Sequence, residues 1–195
     1  MSVFILVRHA QSTLNLAERV NGDPKVHVEL TEEGVGQARR LQLQLAQVPI
    51  DLCVHTRFQR TRQTAAIVLE GREVPLREEP LLDDIDVGRL EGSSYADYRA
   101  WKRAHSRSDP FPGGESLDQA AARYARAFAS LALSSSQVVL VVCHEIPVRY
   151  ALNATAGSES LEAPVHDVPN ATPFLFQTAA IERAARAVER MAQGR

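Results

Sequence analysis

Cysteine is scarce in this chain. Cys53 and Cys143 are the two, and both lie inside apolar runs, which argues against a disulfide scaffold. Net charge is small as well: a formal charge of -2 gives no general attraction for nucleic acid or an anionic membrane. Any bound anion must therefore be held by local arginines. Long hydrophobic runs are missing too. The first apolar stretch ends at Arg8, too short for a membrane span, and no basic n-region marks a signal peptide. The expected location is the cytoplasm. No internal repeat or low-complexity linker divides the 195 residues, and a 45% hydrophobic content is ample for one domain over residues 1–195.

What is present is a regular alternation. Val3–Val7, Ile50–Val54 and Val138–Cys143 are short runs rich in Val, Ile and Leu, as strands buried on both faces are. Helical patterns separate them. Thr31 can cap a helix whose apolar positions are Val35, Ala38, Leu41, Leu45 and Val48, with Glu32 and Glu33 at its positive end. A second helix is expected from about Arg57 to Glu70, stopped near Gly71. Ser116 and Gln119 form a capping box for a third, with Leu117, Ala120, Ala121, Tyr124, Phe128 and Leu131 as its buried stripe. Pro147 suits the first turn of a fourth. A strand at Pro173–Gln177 and a helix at Ala179–Met191 follow. The pattern predicts an α/β three-layer sandwich, a mostly parallel sheet with helices on both faces. Residues 92–115 carry no clear core pattern and hold Pro110, Pro112, Gly113 and Gly114, so they read as a loop or lid.

Three strand ends carry chemistry: Arg8-His9, then His55 through Arg60, then His144. Parallel strands bring such ends to one edge of the sheet, where residues distant in sequence meet. The side chains suit a phosphate, with guanidinium groups for its oxygens and an imidazole to attack phosphorus. Other readings are weaker. His144-Glu145 lacks the second histidine of a zinc motif, and Gly34-Val35-Gly36 follows a helix cap instead of a strand. Cys143 and Arg149 have the Cys-x5-Arg spacing of a cysteine-dependent phosphatase. The residues between them include no glycine, and Pro147 removes an amide that such a loop needs. His27, His55, His105 and His166 show no ligand spacing.

The segment Arg8-His9-Ala10-Gln11-Ser12-Thr13-Leu14-Asn15 resembles the Arg-His-Gly-Glu-Thr-x-x-Asn signature of the histidine phosphatase superfamily, the phosphoglycerate-mutase-like enzymes. Arg60 followed by Gln63-Thr64-Ala65 is similar to that family's Arg-x-x-Gln-Thr-Ala step. Val142-Cys143-His144 resembles its second histidine site, and Leu82 to Gly92 its acid-bearing segment. Pro112-Gly113-Gly114-Glu115-Ser116 and Leu30-Thr31-Glu32-Glu33-Gly34 match further family steps. Any one match is weak; the ordered set is strong.

The resemblance implies a metal-independent phosphomonoester hydrolase that needs no cofactor. In it His9 carries a phosphohistidine intermediate, and Arg8, Ser12, Asn15, Arg60 and protonated His144 hold phosphate. Asp84 is the implied general acid and base, kept protonated near neutrality by buried surface or by the adjacent Asp83 and Asp86. Asp83 and Glu91 are the substitutes should Asp84 not reach. Implied partners are small phosphorylated metabolites or a phosphoprotein, with no nucleic acid and no membrane; oligomeric state is not legible. A phosphoglycerate-type mutase and a non-catalytic phospholigand-binding module are the neighbouring readings. Water is preferred as the acceptor because the stretch from Gly92 to Pro112 leaves little room for a cover. The chain departs from the pattern at Ala10, Gln11, Asp84, Glu145 and Pro147. Asp84 is one methylene shorter than the usual glutamate, and Glu145 and Pro147 stand where glycines are common, narrowing the site.

Overall fold

A computed structural model describes residues 2–194. In chain order the main elements are β1 (Val3–Arg8), α1 (Thr13–Leu16), α2 (Glu32–Gln44), β2 (Leu52–His55), α3 (Gln59–Val68), β3 (Leu76–Glu78), α4 (Tyr95–Ala104), α5 (Leu117–Ala132), β4 (Val138–Cys143), α6 (Glu145–Thr155), β5 (Pro173–Gln177) and α7 (Thr178–Ala192). The strands form one sheet in the order β3-β2-β4-β1-β5. Four are parallel, and β5 runs antiparallel to β1 at the edge.

Side chains alternate across the sheet as period-2 geometry demands. Phe4, Leu6, Val139 and Val141 enter the core shared with α5, α6 and α7, whereas Ile5, Val7, Leu140 and Val142 enter the one shared with α2 and α3. Phe4 through Val7 are at most 2% exposed. Each such side chain contributes about 1.5–3 kcal/mol, so a register slip in β1 would be costly. The register sets Arg8 level with Cys143, and His55 level with Val142. The ends of β1, β2 and β4 therefore reach the same edge together.

Caps operate where the sequence places them. Thr31 Oγ1 accepts from the Gly34 amide, and Ser116 with Gln119 closes the expected capping box. Pro147 lies in the first turn of α6. Two differences stand out. The edge strand β3 has three residues, too few for a periodic signal. Residues 92–115 are not simply a loop, because α4 occupies ten of them, capped by Ser94. Its Tyr98 and Trp101 rings pack on Phe111, which is fully buried, and that small aromatic cluster replaces the long apolar stripe that a sequence reading looks for.

Candidate active site

His9 follows β1 directly, and its amide donates to the Cys143 carbonyl at 2.9 Å, so it sits beside His144 at the sheet edge. Thr64, on α3, holds this turn by accepting from the Ala10 amide at 3.0 Å and donating to the Arg60 carbonyl at 2.7 Å. Asn170 Nδ2 donates to the His9 carbonyl at 2.7 Å. Every backbone group around the histidine thus has a partner, as a buried polar turn requires.

The His9 ring is 2% exposed. Its Nε2 receives a hydrogen bond from Arg60 Nε at 2.9 Å. A guanidinium only donates, so Nε2 carries a lone pair and Nδ1–H donates to the Ala10 carbonyl at 2.7 Å. Burial, then Arg60 and Arg8, push the ring's pKa well below its ordinary value. The result is a neutral imidazole in one tautomer, with its nucleophilic nitrogen turned toward a guanidinium.

Arg60 is the hub. Besides His9, its Nη2 donates to Asp84 Oδ2 at 3.0 Å, His144 Nδ1 at 3.1 Å and the Asn21 carbonyl at 3.2 Å, while Nη1 donates to Asn21 Oδ1. The Phe58 ring lies beneath it, 4.3 Å from the guanidinium carbon, and also meets the His144 ring edge-on. Arg8 is a second arginine at the cavity and lies next to His9 in the chain. Its Nη1 donates to the Val168 carbonyl at 2.7 Å and lies near Glu145 and Asp167, whereas its Nε is buried with no hydrogen-bond partner.

His144 is fully buried, and it is not the protonated donor expected. Burial, followed by the Arg60 charge, drives its pKa well below the ordinary value. Because Nδ1 accepts from Arg60, Nε2–H is left to donate to Thr56 Oγ1 at 3.0 Å. Asp84 lies 3.4 Å from His144 Nδ1, and its carboxyl is about one-quarter exposed. Its pKa is raised chiefly by burial and lowered by Arg60; the expected repulsion from Asp83 and Asp86 is not among its causes. Those two carboxylates face elsewhere. Asp83 binds the Arg57 amide and Nε at 3.0 and 2.5 Å, and Asp86 accepts from the Gly88 amide. Glu91 is also committed, accepting from the Gly22 amide at 2.6 Å, the Asp23 amide and Asn21 Nδ2. Of Asp83, Asp84, Asp86 and Glu91, Asp84 alone lines the cavity.

That cavity has a volume of about 470 Å³. Arg8, His9, Ser12, Asn15, Arg60 and Asp84 line it; fully buried His144 backs Arg60 and Asp84 without lining it. Ser12 and Asn15 mainly hold each other there, since Asn15 Oδ1 accepts from the Ser12 amide and hydroxyl while Nδ2 donates to Tyr95 Oη. Cys143 does not line the cavity. Its side chain packs in the core, and burial pushes its thiol up to about 12, leaving almost no thiolate for the cysteine chemistry its spacing offered. Arg149 is tied to Glu145 and Glu162. Several contributors escaped the sequence reading: Asn21, Phe58, Thr56, Asn170 and Tyr95. Asn21-Gly22 carries a turn signal and Thr64 lies within the Gln-Thr-Ala step; the others carry no signal of their own. Among the described residues, no three His, Cys, Asp or Glu side chains cluster as metal ligands do. No helix there is long and apolar enough to cross a membrane.

The arrangement is that of an α/β protein that brings a neutral histidine, two arginines and a carboxyl group around one cavity. Over residues 4–192 the chain matches the family model of the histidine phosphatase superfamily, branch 1, and it belongs to that family. It is 33% identical over 149 residues, 72% of each chain, to the adenosylcobalamin/alpha-ribazole phosphatase of Salmonella typhimurium. It is 29% identical to the 2,3-bisphosphoglycerate-dependent phosphoglycerate mutase of Methylobacterium radiotolerans, covering 90% of this chain and 89% of the relative. Among solved structures, a putative alpha-ribazole-5'-P phosphatase from Escherichia coli superposes with a TM-score of 0.80 at 25% identity, over 89% of both chains.

Proposed function

We propose that this chain hydrolyses a small phosphorylated metabolite through a phosphohistidine formed on His9 Nε2. One observation carries the reading: His9 is held neutral, Nδ1 bound to the Ala10 carbonyl and Nε2 facing Arg60, in a cavity that Arg8, Arg60 and Asp84 also line. An incoming phosphoryl group takes the Arg60 Nε–H bond and releases the His9 lone pair. The Nε2–P bond forms as the ester P–O bond breaks, and Asp84 gives its proton to the leaving oxygen. The resulting carboxylate then removes a proton from water, whose oxygen attacks phosphorus and frees the imidazole. Arg8 and Arg60 offset the charge that builds on the equatorial oxygens. A cavity near 470 Å³ suits a small molecule. We also read residues 1–195 as one domain, with 92–115 as its lid, working in the cytoplasm.

One observation favours mutase chemistry as a second reading. Arg99, Lys102 and Arg103 line the cavity from α4, ready for a second anionic group. Chain length does not separate the two readings, because the Methylobacterium mutase is matched over 89% of its length. Hydrolysis is preferred because the cavity rim is open to water at Arg99, Arg103, His166 and Asp167. Incubation with 3-phosphoglycerate, with and without 2,3-bisphosphoglycerate, decides between them. Phosphate release without isomerisation is expected; fast isomerisation with negligible phosphate would favour the mutase.

A further inference from the structure

The segment that presents Asp84 is irregular, yet it is gripped from behind. Arg123, on α5, points its guanidinium at the outer side of this segment. Its Nη1 donates to the Leu81 and Asp83 carbonyls, both at 2.9 Å, and its Nη2 to the Asp84 carbonyl at 3.3 Å. Glu115 holds the guanidinium in turn, Oε1 accepting from Nη2 at 2.5 Å and Oε2 from Nε at 3.3 Å. The same Glu115 accepts from the Asp86 amide at 3.1 Å, and its own amide donates to the Asp86 carbonyl at 2.9 Å. Tyr124 Oη adds a bond to the Asp83 carbonyl at 3.0 Å. Backbone on both sides of Asp84 is therefore fixed by two charged side chains that are themselves largely buried. Gly114 makes the approach feasible, since a Cβ there would collide with the Asp86 carbonyl oxygen. None of these residues except Asp84 lines the cavity that holds His9.

We propose that Arg123 and Glu115 form a clamp that aims the Asp84 carboxyl at the leaving oxygen, making Arg123 a positioning residue for proton transfer. This rests on Asp84 being the general acid. A planar guanidinium has donors enough for three carbonyls and a carboxylate at once, which an ammonium cannot match in that fixed fork. Proton donation is sensitive to small displacements of the donor, so a loosened clamp harms esters that need protonation and spares those that do not.

The test compares phenyl phosphate with p-nitrophenyl phosphate, two aryl esters that differ by a para-nitro group and so in the basicity of their leaving groups. Arg123→Gln should lower kcat/KM for phenyl phosphate about tenfold more than for p-nitrophenyl phosphate. Inhibition by inorganic phosphate should move by less than about twofold, because the phosphate cradle is untouched. Arg123→Lys should recover part of the ratio, and Glu115→Gln should lose part of it. Equal losses on both esters, or a weakening of phosphate inhibition that matches the loss of rate, overturn the proposal. If Arg123→Gln does not fold, the Arg123→Lys and Glu115→Gln ratios decide by the same criterion. Asp84→Asn separates the two claims. If it fails to discriminate between the esters, the role of Asp84 is wrong; if it discriminates and the Arg123 variants do not, the clamp alone is wrong. In the Asp84→Asn background, Arg123→Gln should change the ester ratio by less than about twofold, and a further large change contradicts the clamp.

Discussion

The two sides of the cavity are built differently. The side proposed to hold phosphate, with Arg8, His9, Arg60 and the backing His144, hangs from the ends of β1 and β4 and the first turn of α3. Its geometry is inherited from parallel ladders whose residues are almost wholly buried. The acid side has no ladder: Asp84 lies between two 3₁₀ turns, Pro80–Leu82 and Gly88–Leu90, and is held by side chains bonding to backbone. The first side resists change because moving it breaks the sheet. The second can shift by changing a few contacts, which leaves the leaving-group end of the site open to adjustment while the phosphate end stays constant.

That contrast is broken most severely at His9. His9→Ala should remove turnover of every phosphate ester, measured as phosphate release, because no other ring occupies its place. Arg60→Ala comes next. It loses about 3 kcal/mol of transition-state stabilisation, roughly a hundredfold in rate, for good leaving groups as well as poor ones. His144→Ala should behave similarly, since its Nδ1 holds the Arg60 fork.

Asp84→Asn sharpens the comparison. It should hurt phenyl phosphate far more than p-nitrophenyl phosphate. The pH profile carries the same information. Burial raises the Asp84 pKa, so its acid form persists above the ordinary carboxylate range and is lost as pH rises through that raised value. Burial and the arginines lower the His9 pKa, so its neutral form is kept until pH falls below the usual imidazole range. With phenyl phosphate, kcat/KM should therefore decline as pH rises through the raised Asp84 value. In Asp84→Asn that alkaline limb should flatten, and a limb unchanged by the substitution would mean another acid. The smallest effect is expected at Cys143→Ser: activity within about twofold of the parent, because the thiol has no chemical role, with a modest loss of thermal stability from placing a hydroxyl in the core.

Legibility divides along the same line. His9 and His144 directly follow apolar runs, so their convergence can be read from strand ends, whereas Arg60 stands out from Arg57 and Arg62 only through the resemblance. Asp84 was reachable only through resemblance, because a carboxylate among Asp83, Asp86 and Glu91 has no period to single it out. The structure separates the four by their partners. Helix α4 was missed since its core-facing residues, Tyr98 and Trp101, pack on a loop phenylalanine and not on the sheet. Asn21 was missed for a similar reason: it acts on Arg60 across 39 positions, and no local pattern encodes such a contact. The neutral state of His144 has no sequence signal, because its full burial is a tertiary property.

Rapid quench with a phosphorus-labelled ester tests the central claim most directly. Within the first turnover, label should appear on the protein in an acid-labile, base-stable linkage, map to the peptide carrying His9, and be absent from His9→Ala. Label found in an acid-stable linkage, or on a peptide without His9, or full turnover by His9→Ala, would contradict it.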